Sequence, residues 1–189
     1  AIIGVQEEQV SEGVGGDGVS SNYVGATEDT AEIRSGRLHI FNAYGSELLT
    51  LRLPMKVEYY EDTTIPPVTT GWITNGADAC TALVVAQLDL QNDIDDPAQG
   101  VNTIIIKAGT PNKTSNVTVV SPAAGVGELS FSAPGVGGDG YADARMNLTA
   151  LPWLRYDWDD NGSLDDPTGR ATFGLYRGSP THIYQRQRY

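Results

Sequence analysis

The stretch ELLTLRLPMKVEYY, residues 47–60, decides the fold class. Leu49, Leu51, Leu53, Met55, Val57 and Tyr59 alternate with Thr50, Arg52, Pro54, Lys56, Glu58 and Tyr60. Successive side chains of an extended chain point to opposite faces, so this pattern predicts a long strand with one apolar and one largely polar face. Pro54 has no N–H to give to a ladder, which predicts an edge strand or a bulge at that point.

The same period recurs outward from this strand. Residues 81–90 read as a second long strand, apolar on both faces around Leu83 and Val85. Residues 102–108, with Ile104, Ile105 and Ile106, read as a buried strand. Residues 128–133 turn Leu129, Phe131 and Ala133 inward, and residues 141–148 do the same with Ala142, Ala144, Met146 and Leu148. Residues 170–176 place Ala171, Phe173 and Leu175 on one side, and residues 182–189 form a polar closing strand. No stretch of more than a few residues carries a helical 3.6-residue period. About nine or ten short strands without a helix predict an all-β fold, an antiparallel β-sandwich of the immunoglobulin-like or jelly-roll-like kind. The GVGGDG segment at residues 135–140, which also occurs at residues 13–18, suits a hairpin turn because Gly tolerates positive φ.

At 189 residues the chain is near the length of one domain, taking roughly 150 residues per domain. We divide it into an acidic, Gly-rich segment, residues 1–23, and one sandwich domain, residues 24–189. Acids number 24 and bases 12, for a formal charge of −12. That excess argues against a nucleic-acid surface, which must displace counterions with positive charge, and against docking on anionic lipid. No apolar run is long enough to cross a membrane as a helix. Two His and one Cys leave little material for a zinc site, a disulfide framework or a catalytic dyad. The chain opens on Ala1, which reads as a mature exported chain whose leader has been removed, or alternatively as a trimmed one.

Charge is uneven. Residues 1–33 carry Glu7, Glu8, Glu12, Asp17, Glu28, Asp29 and Glu32 without a base, whereas residues 170–189 carry Arg170, Arg177, Arg186 and Arg188 without an acid. Either both ends are simply solvated, or neighbouring copies meet head to tail. The apolar start, with Ile3 and Val5, is either the first strand of its own sheet or a donor strand for a neighbour's sheet edge, hinged at residues 13–18.

Residues 157–166, DWDDNGSLDD, are the strongest candidate site. Oxygen ligands at alternating positions beside a Gly that permits a sharp turn are what a hard cation such as Ca²⁺ requires. Asp157, Asp159 and Asn161 take the first, third and fifth places, Ser163 offers its carbonyl and Asp165 its side chain. Thr168 stands at the twelfth place, so Asp166 would replace the usual bidentate Glu. The ion would be structural, relieving repulsion within the loop. The alternative is a hairpin turn whose Asp and Asn side chains cap their own backbone. Residues 92–97 form a second acidic loop of poorer spacing, read as a solvated turn. Cys80, the single cysteine, reads as bonded to another chain, as missing a partner segment or, preferably, as a buried small residue, and His39 and His182 read as ordinary strand residues. Four Asn-x-Ser/Thr matches, at Asn112, Asn116, Asn147 and Asn161, carry little weight. No nucleophile elbow and no convincing carboxylate pair is present, so no enzyme is expected.

Three stretches together resemble one family. They are VGATE (24–28) with SGRL (35–38) and NAYGSE (42–47); LRLP (51–54) with VEYY (57–60), Trp72, Asn75 and DACT (78–81); and LPWLRYDWD (151–159) with DDPTGRATFGLYRG (165–178), Ile183 and Tyr184. The chain from about Val24 onward resembles the C-terminal domain of MshQ-like proteins, large secreted proteins associated with biogenesis of the mannose-sensitive haemagglutinin (type IV) pilus. The resemblance implies a bacterial cell-surface or extracellular protein without known catalytic activity, and it brings no catalytic residues. In that family the domain usually ends a much longer polypeptide, so the chain reads as a stand-alone relative or as a piece of a larger precursor. Two functions follow as expectations. One is a structural subunit, partnered by pilus components or by copies of itself in a filament. The other is a monomeric adhesin module that binds a surface glycan through residues such as Trp72, Trp153, Trp158 and the tyrosines.

Overall fold

The computed structural model describes residues 35–63 and 69–174. Within them are ten strands and two single turns of 3₁₀-helix, Val85–Gln87 and Pro152–Leu154. The strands are β1 (Gly36–Ile40), β2 (Ala43–Gly45), β3 (Leu51–Thr63), β4 (Thr69–Thr74), β5 (Leu88–Gln91), β6 (Thr103–Lys107), β7 (Lys113–Ala123), β8 (Val126–Phe131), β9 (Gly140–Met146) and β10 (Thr168–Phe173). They form two sheets. The larger runs β1-β3-β8-β7-β6, with β4 also paired to β3; the smaller runs β2-β10-β9-β5. The fold is all-β and sandwich-like, as the period-two segments predict.

The strand read from residues 47–60 is β3, displaced towards the C-terminus. Leu51, Leu53, Met55 and Val57 are buried, whereas Leu49 is 67% exposed in the approach to the strand. β3 is an interior strand rather than an edge. β8 pairs with residues 51–56, and β4 takes over the same side from Glu58. Val57 makes the handover: its N–H donates to Gly125 O at 2.9 Å and its carbonyl accepts from Asn75 N at 2.8 Å. The Ala124-Gly125 turn between β7 and β8 has positive φ at both residues, as a two-residue hairpin requires. Pro54 is tolerated because its polar groups face the other side, where β1 has just ended at the Ile40–Met55 pair. There its carbonyl accepts from Phe41 N at 2.9 Å.

The core lies between the inner faces. Leu38 and Ile40, the four β3 residues, Ile104, Ile106, Val117, Leu129 and Phe131 come from the larger sheet. Leu88, Leu90, Ala142, Ala144, Met146, Ala171 and Phe173 come from the smaller one. Phe131 and Phe173 meet edge to face across the gap, centroids 6.4 Å apart. Small Ala side chains on β9 and β10 face larger ones opposite, which is how two pleated layers interdigitate.

Four expectations need correction. Residues 81–90 are not one strand: only Leu88–Gln91 is extended in a sheet. Gln87 Oε1 accepts the Val84 N–H at 2.9 Å, a side chain taking the donor a ladder would need, and the chain turns. Residues 135–140 are not a hairpin; they carry the chain from β8 in one sheet to β9 in the other. Ala133 is exposed, beyond the end of β8. One strand pair, β2 with β10, is parallel. The chain passes from β1 on the edge of the larger sheet to β2 on the edge of the smaller without reversing, so β2 keeps β1's direction. The proposed donor segment 1–23, its hinge, the charged ends (apart from Arg170, which pairs with Asp143), Leu175 and the closing strand 182–189 lie outside the described residues.

The opposite side of the sandwich is held by Asn92, in the acidic loop read as a solvated turn. Its Nδ2 donates to Ile105 O at 2.7 Å in the larger sheet and to Tyr141 O at 3.2 Å in the smaller. Its Oδ1 accepts from Ile94 N and Asp95 N. Asp95 in turn accepts the Ile105 N–H at 3.0 Å, so the outer edge of β6 is occupied there. Asn92→Ala removes all four bonds at once. It is expected to lower unfolding free energy by about 1–3 kcal/mol in urea denaturation, whereas Asn112→Ala on an exposed turn leaves the midpoint within about 0.5 kcal/mol of the parent.

Candidate functional site

The site is built on the outer face of the β1-β3-β4 corner. Because Leu38 and Ile40 point inward, Arg37 and His39 point outward on β1, as do Glu58 and Tyr60 on β3. Register places Arg37 directly opposite Glu58 and Tyr60 opposite Trp72. Arg37 Nε and Nη2 both lie 2.8 Å from Glu58 Oε2, and both side chains are nearly sealed from water, at 13% and 8% exposure. The guanidinium sits 3.9 Å from the Trp72 ring centre, 5.2 Å from that of Tyr156 and 5.1 Å from that of Trp158. Ring-edge contacts run from Tyr60 to Trp72 to Tyr156 to Trp158. His39 continues the series, 5.1 Å from Trp158 and stacked on Phe41 at 3.9 Å.

Tyr156 and Trp158 belong to the Asp-rich loop, so this stack fastens the loop to the sheet. The loop is closed at its base by the Tyr156–Asp165 bridge, with Asp165 N donating to Tyr156 O at 2.9 Å. Asp166 turns away. Its Oδ1 accepts Leu148 N at 3.0 Å and lies 3.2 Å from Arg155 Nε, tying the base to the end of β9. Inside the loop, Asp157 accepts from Asn161 N at 3.0 Å and from Gly162 N at 2.7 Å. Asn161 Oδ1 accepts from Ser163 N, and Asn161 Nδ2 donates to Asp159. Asp160 and Gly162 both take positive φ, 58° and 85°. Gly162, the sixth residue of the run, supplies the sharp turn that coordination loops use there.

Of the six residues singled out in the sequence, the structure brings three carboxylates together. One oxygen each of Asp157, Asp159 and Asp165 lie within 4.8 Å of one another. Asn161 and Ser163 are in the same turn, and Asp166 is outside the cluster. The loop's side chains cap its own backbone, and three of its acids converge. Three anionic groups at that spacing repel, and a hard cation relieves the repulsion.

Next to the loop lies an open cleft of about 680 Å³. It is lined by residues 39–42 of the β1–β2 crossover, Arg145 on β9, Thr168 on β10, and Arg155, Trp158, Asp159, Asp165 and Asp166 of the loop. Arg145 is paired with Asp89.

Sequence reasoning missed the Arg37–Glu58 pair and the bracing role of Tyr156. The signal was present as polar residues alternating with Leu38 and Val57, but pairing them requires the strand register. Of the tryptophans nominated for sugar, Trp72 holds Arg37, Trp158 borders the cleft, and Trp153 lies apart in the 3₁₀ turn, 51% exposed. Cys80 is exposed rather than buried, in a turn organised by Asp78, whose Oδ1 accepts from Thr81 N at 3.2 Å and Thr81 Oγ1 at 3.0 Å. His182 lies outside the described residues.

Titration with Ca²⁺ is expected to release or absorb heat and to raise the melting temperature, and Asp165→Asn to abolish both. Absence of heat and of any melting shift removes the calcium reading. A second outcome concerns His39. Burial holds its pKa below the ordinary 6.5, opposed by nearby Glu58. The unfolded chain therefore takes up this proton first as pH falls, so the stability contribution is complete above about 6.5 and is lost as pH drops through the lowered folded value. Melting curves between about pH 7.5 and 5 should show a steeper loss for the parent than for His39→Phe.

No curated protein matches the chain significantly. The family model that does match covers residues 34–188, from just before β1 to beyond β10 and including the whole cleft and loop. By that match the chain belongs to the family described as DUF6701, fourth domain.

Proposed function

We propose that this chain is a non-enzymatic structural and adhesive module of an exported bacterial surface protein, one unit of a longer MshQ-like polypeptide, and that it engages a surface glycan. The cleft beside the Asp-rich loop carries this reading. It combines exposed aromatic surface with donors and acceptors already held in place by ion pairs, the features of a site for a small polar ligand. The family description, which numbers this unit as a fourth domain, is in keeping with a module in a series. Calcium, on Asp157, Asp159 and Asp165 with Asn161 and Ser163, would stiffen the loop that forms one wall.

The second reading is assembly into a filament or association with pilus components. Its supports are the apolar residues Ile3 and Val5 and the oppositely charged ends, all but Arg170 outside the described residues. Against β-strand addition at β6 stands the occupation of Ile105 by Asn92 and Asp95.

Electron microscopy of the native material, with glycan-array binding of the same preparation, tests the choice. The expected result is dispersed particles that retain glycan. Filaments that retain none, and that disappear when residues 1–10 are deleted, would replace the adhesive reading with self-assembly.

A further inference from the structure

We propose that the cleft between the β1–β2 crossover and the Asp-rich loop binds a neutral pyranose residue, stacked on Trp158, and rejects anionic sugars. The inference rests on the adhesive reading above and gives its ligand class.

One wall of the cleft is aromatic. Trp158 is 37% exposed, although its ring is fixed against Tyr156 and His39. A large aromatic left partly open while its orientation is locked offers a flat apolar surface at little entropic cost. A pyranose presents a matching face of C–H groups. His39, stacked on Phe41, supplies a second ring surface on the crossover side.

The rim of the cleft is polar. A sugar hydroxyl both donates and accepts, so its site needs donors and acceptors in alternation. Arg145 and Arg155 donate only, while Asp159 and Asp165 accept only, and all four border the cleft. Each arginine is already paired, Arg145 with Asp89 and Arg155 with Asp166, so neither has to be ordered when the ligand arrives. The size of the cleft, about 680 Å³, lies within the usual range for small-molecule sites, roughly 300–1,000 Å³.

Charge then selects among sugars. Asp159, Asp165 and Asp166 outweigh Arg145 and Arg155 along the lining. His39 adds no positive charge near neutrality, because burial favours its uncharged form. A uronate or sialate would enter against net negative charge, and both arginines among the described lining residues are already paired, whereas a neutral ring meets no such repulsion.

The test uses the intact chain in EDTA, so that the carboxylates keep their full charge. Binding is read by intrinsic tryptophan fluorescence and by retention on immobilised sugars. The probes are neutral glucose, galactose, mannose and N-acetylglucosamine oligosaccharides, set against polygalacturonate and sialyllactose. At least one neutral probe should bind and the anionic ones should not. Trp158→Ala should weaken binding at least about tenfold. Because Trp158 also braces the loop, a second variant is needed. Thr168 is exposed on β10, so Thr168→Trp fills the cleft from outside the core and should abolish binding with a melting temperature close to the parent's. Neutral binding that survives both variants overturns this site while leaving the adhesive reading intact. Retention of anionic sugars alone overturns the ligand class, and retention of neutral ones only when Ca²⁺ is added overturns the polar rim, because Asp159 and Asp165 then serve the ion and not the sugar hydroxyls. Retention of no sugar under any of these conditions overturns both.

Discussion

Glu58 is the constraint on which the outer face depends. Its carboxylate is almost closed off from water, and a charge so placed must be paired or it neutralises. The β1–β3 register puts Arg37 opposite, and two guanidinium nitrogens meet one carboxylate oxygen. The guanidinium's own desolvation is offset by three aromatic rings, Trp72 from β4 and Tyr156 and Trp158 from the loop. A loop of many acids is thereby anchored to a sheet without a ladder of its own. One isolated bridge at its base, one carboxylate on the end of β9 and this charge-centred stack hold it.

The same register depends on β3 serving two neighbours in succession along one side. At Val57 the partner changes from β8 to β4, and neither hydrogen-bonding group of that residue is left unmade. This long strand lets one face contribute four core residues while the other reaches far enough to present Glu58 and Tyr60 under the loop. The two sheets are closed by different means on their two sides. On one, a single stretch of chain crosses from β1 to β2. On the other, one amide, that of Asn92, bonds to carbonyls of both sheets.

Much of this was legible beforehand. Inward residues of β3, β9 and β10 follow the period-two pattern because a strand buried on one face admits no other arrangement, whereas β6, read as a buried strand from its run of three Ile, leaves Ile105 partly exposed. The spacing of Asp157, Asp159 and Asp165 announced a convergent turn, since Gly162 allows the chain to fold back on itself there. Residues 81–90 misled because a run apolar on both faces was present without a ladder: Gln87 Oε1 took the Val84 N–H. Asn92 looked like one polar residue among many, and only its position between β6 and β9 turns it into a staple. Cys80 lies where Asp78 organises a surface turn, a matter of local hydrogen bonding that residue type does not reveal.

By itself, then, the amino-acid sequence determined the all-β class, most of the inward faces and the acidic turn, because strand period and turn chemistry are local properties carried by residues near one another in the chain. Only the tertiary structure decided which strands neighbour which, that Arg37 faces Glu58 across 21 residues of chain, that Asp166 leaves the carboxylate cluster for Arg155, and that a cleft opens beside Trp158. Those outcomes depend on long-range register and on competition for a few buried polar groups. The balance is settled only when distant segments are brought together.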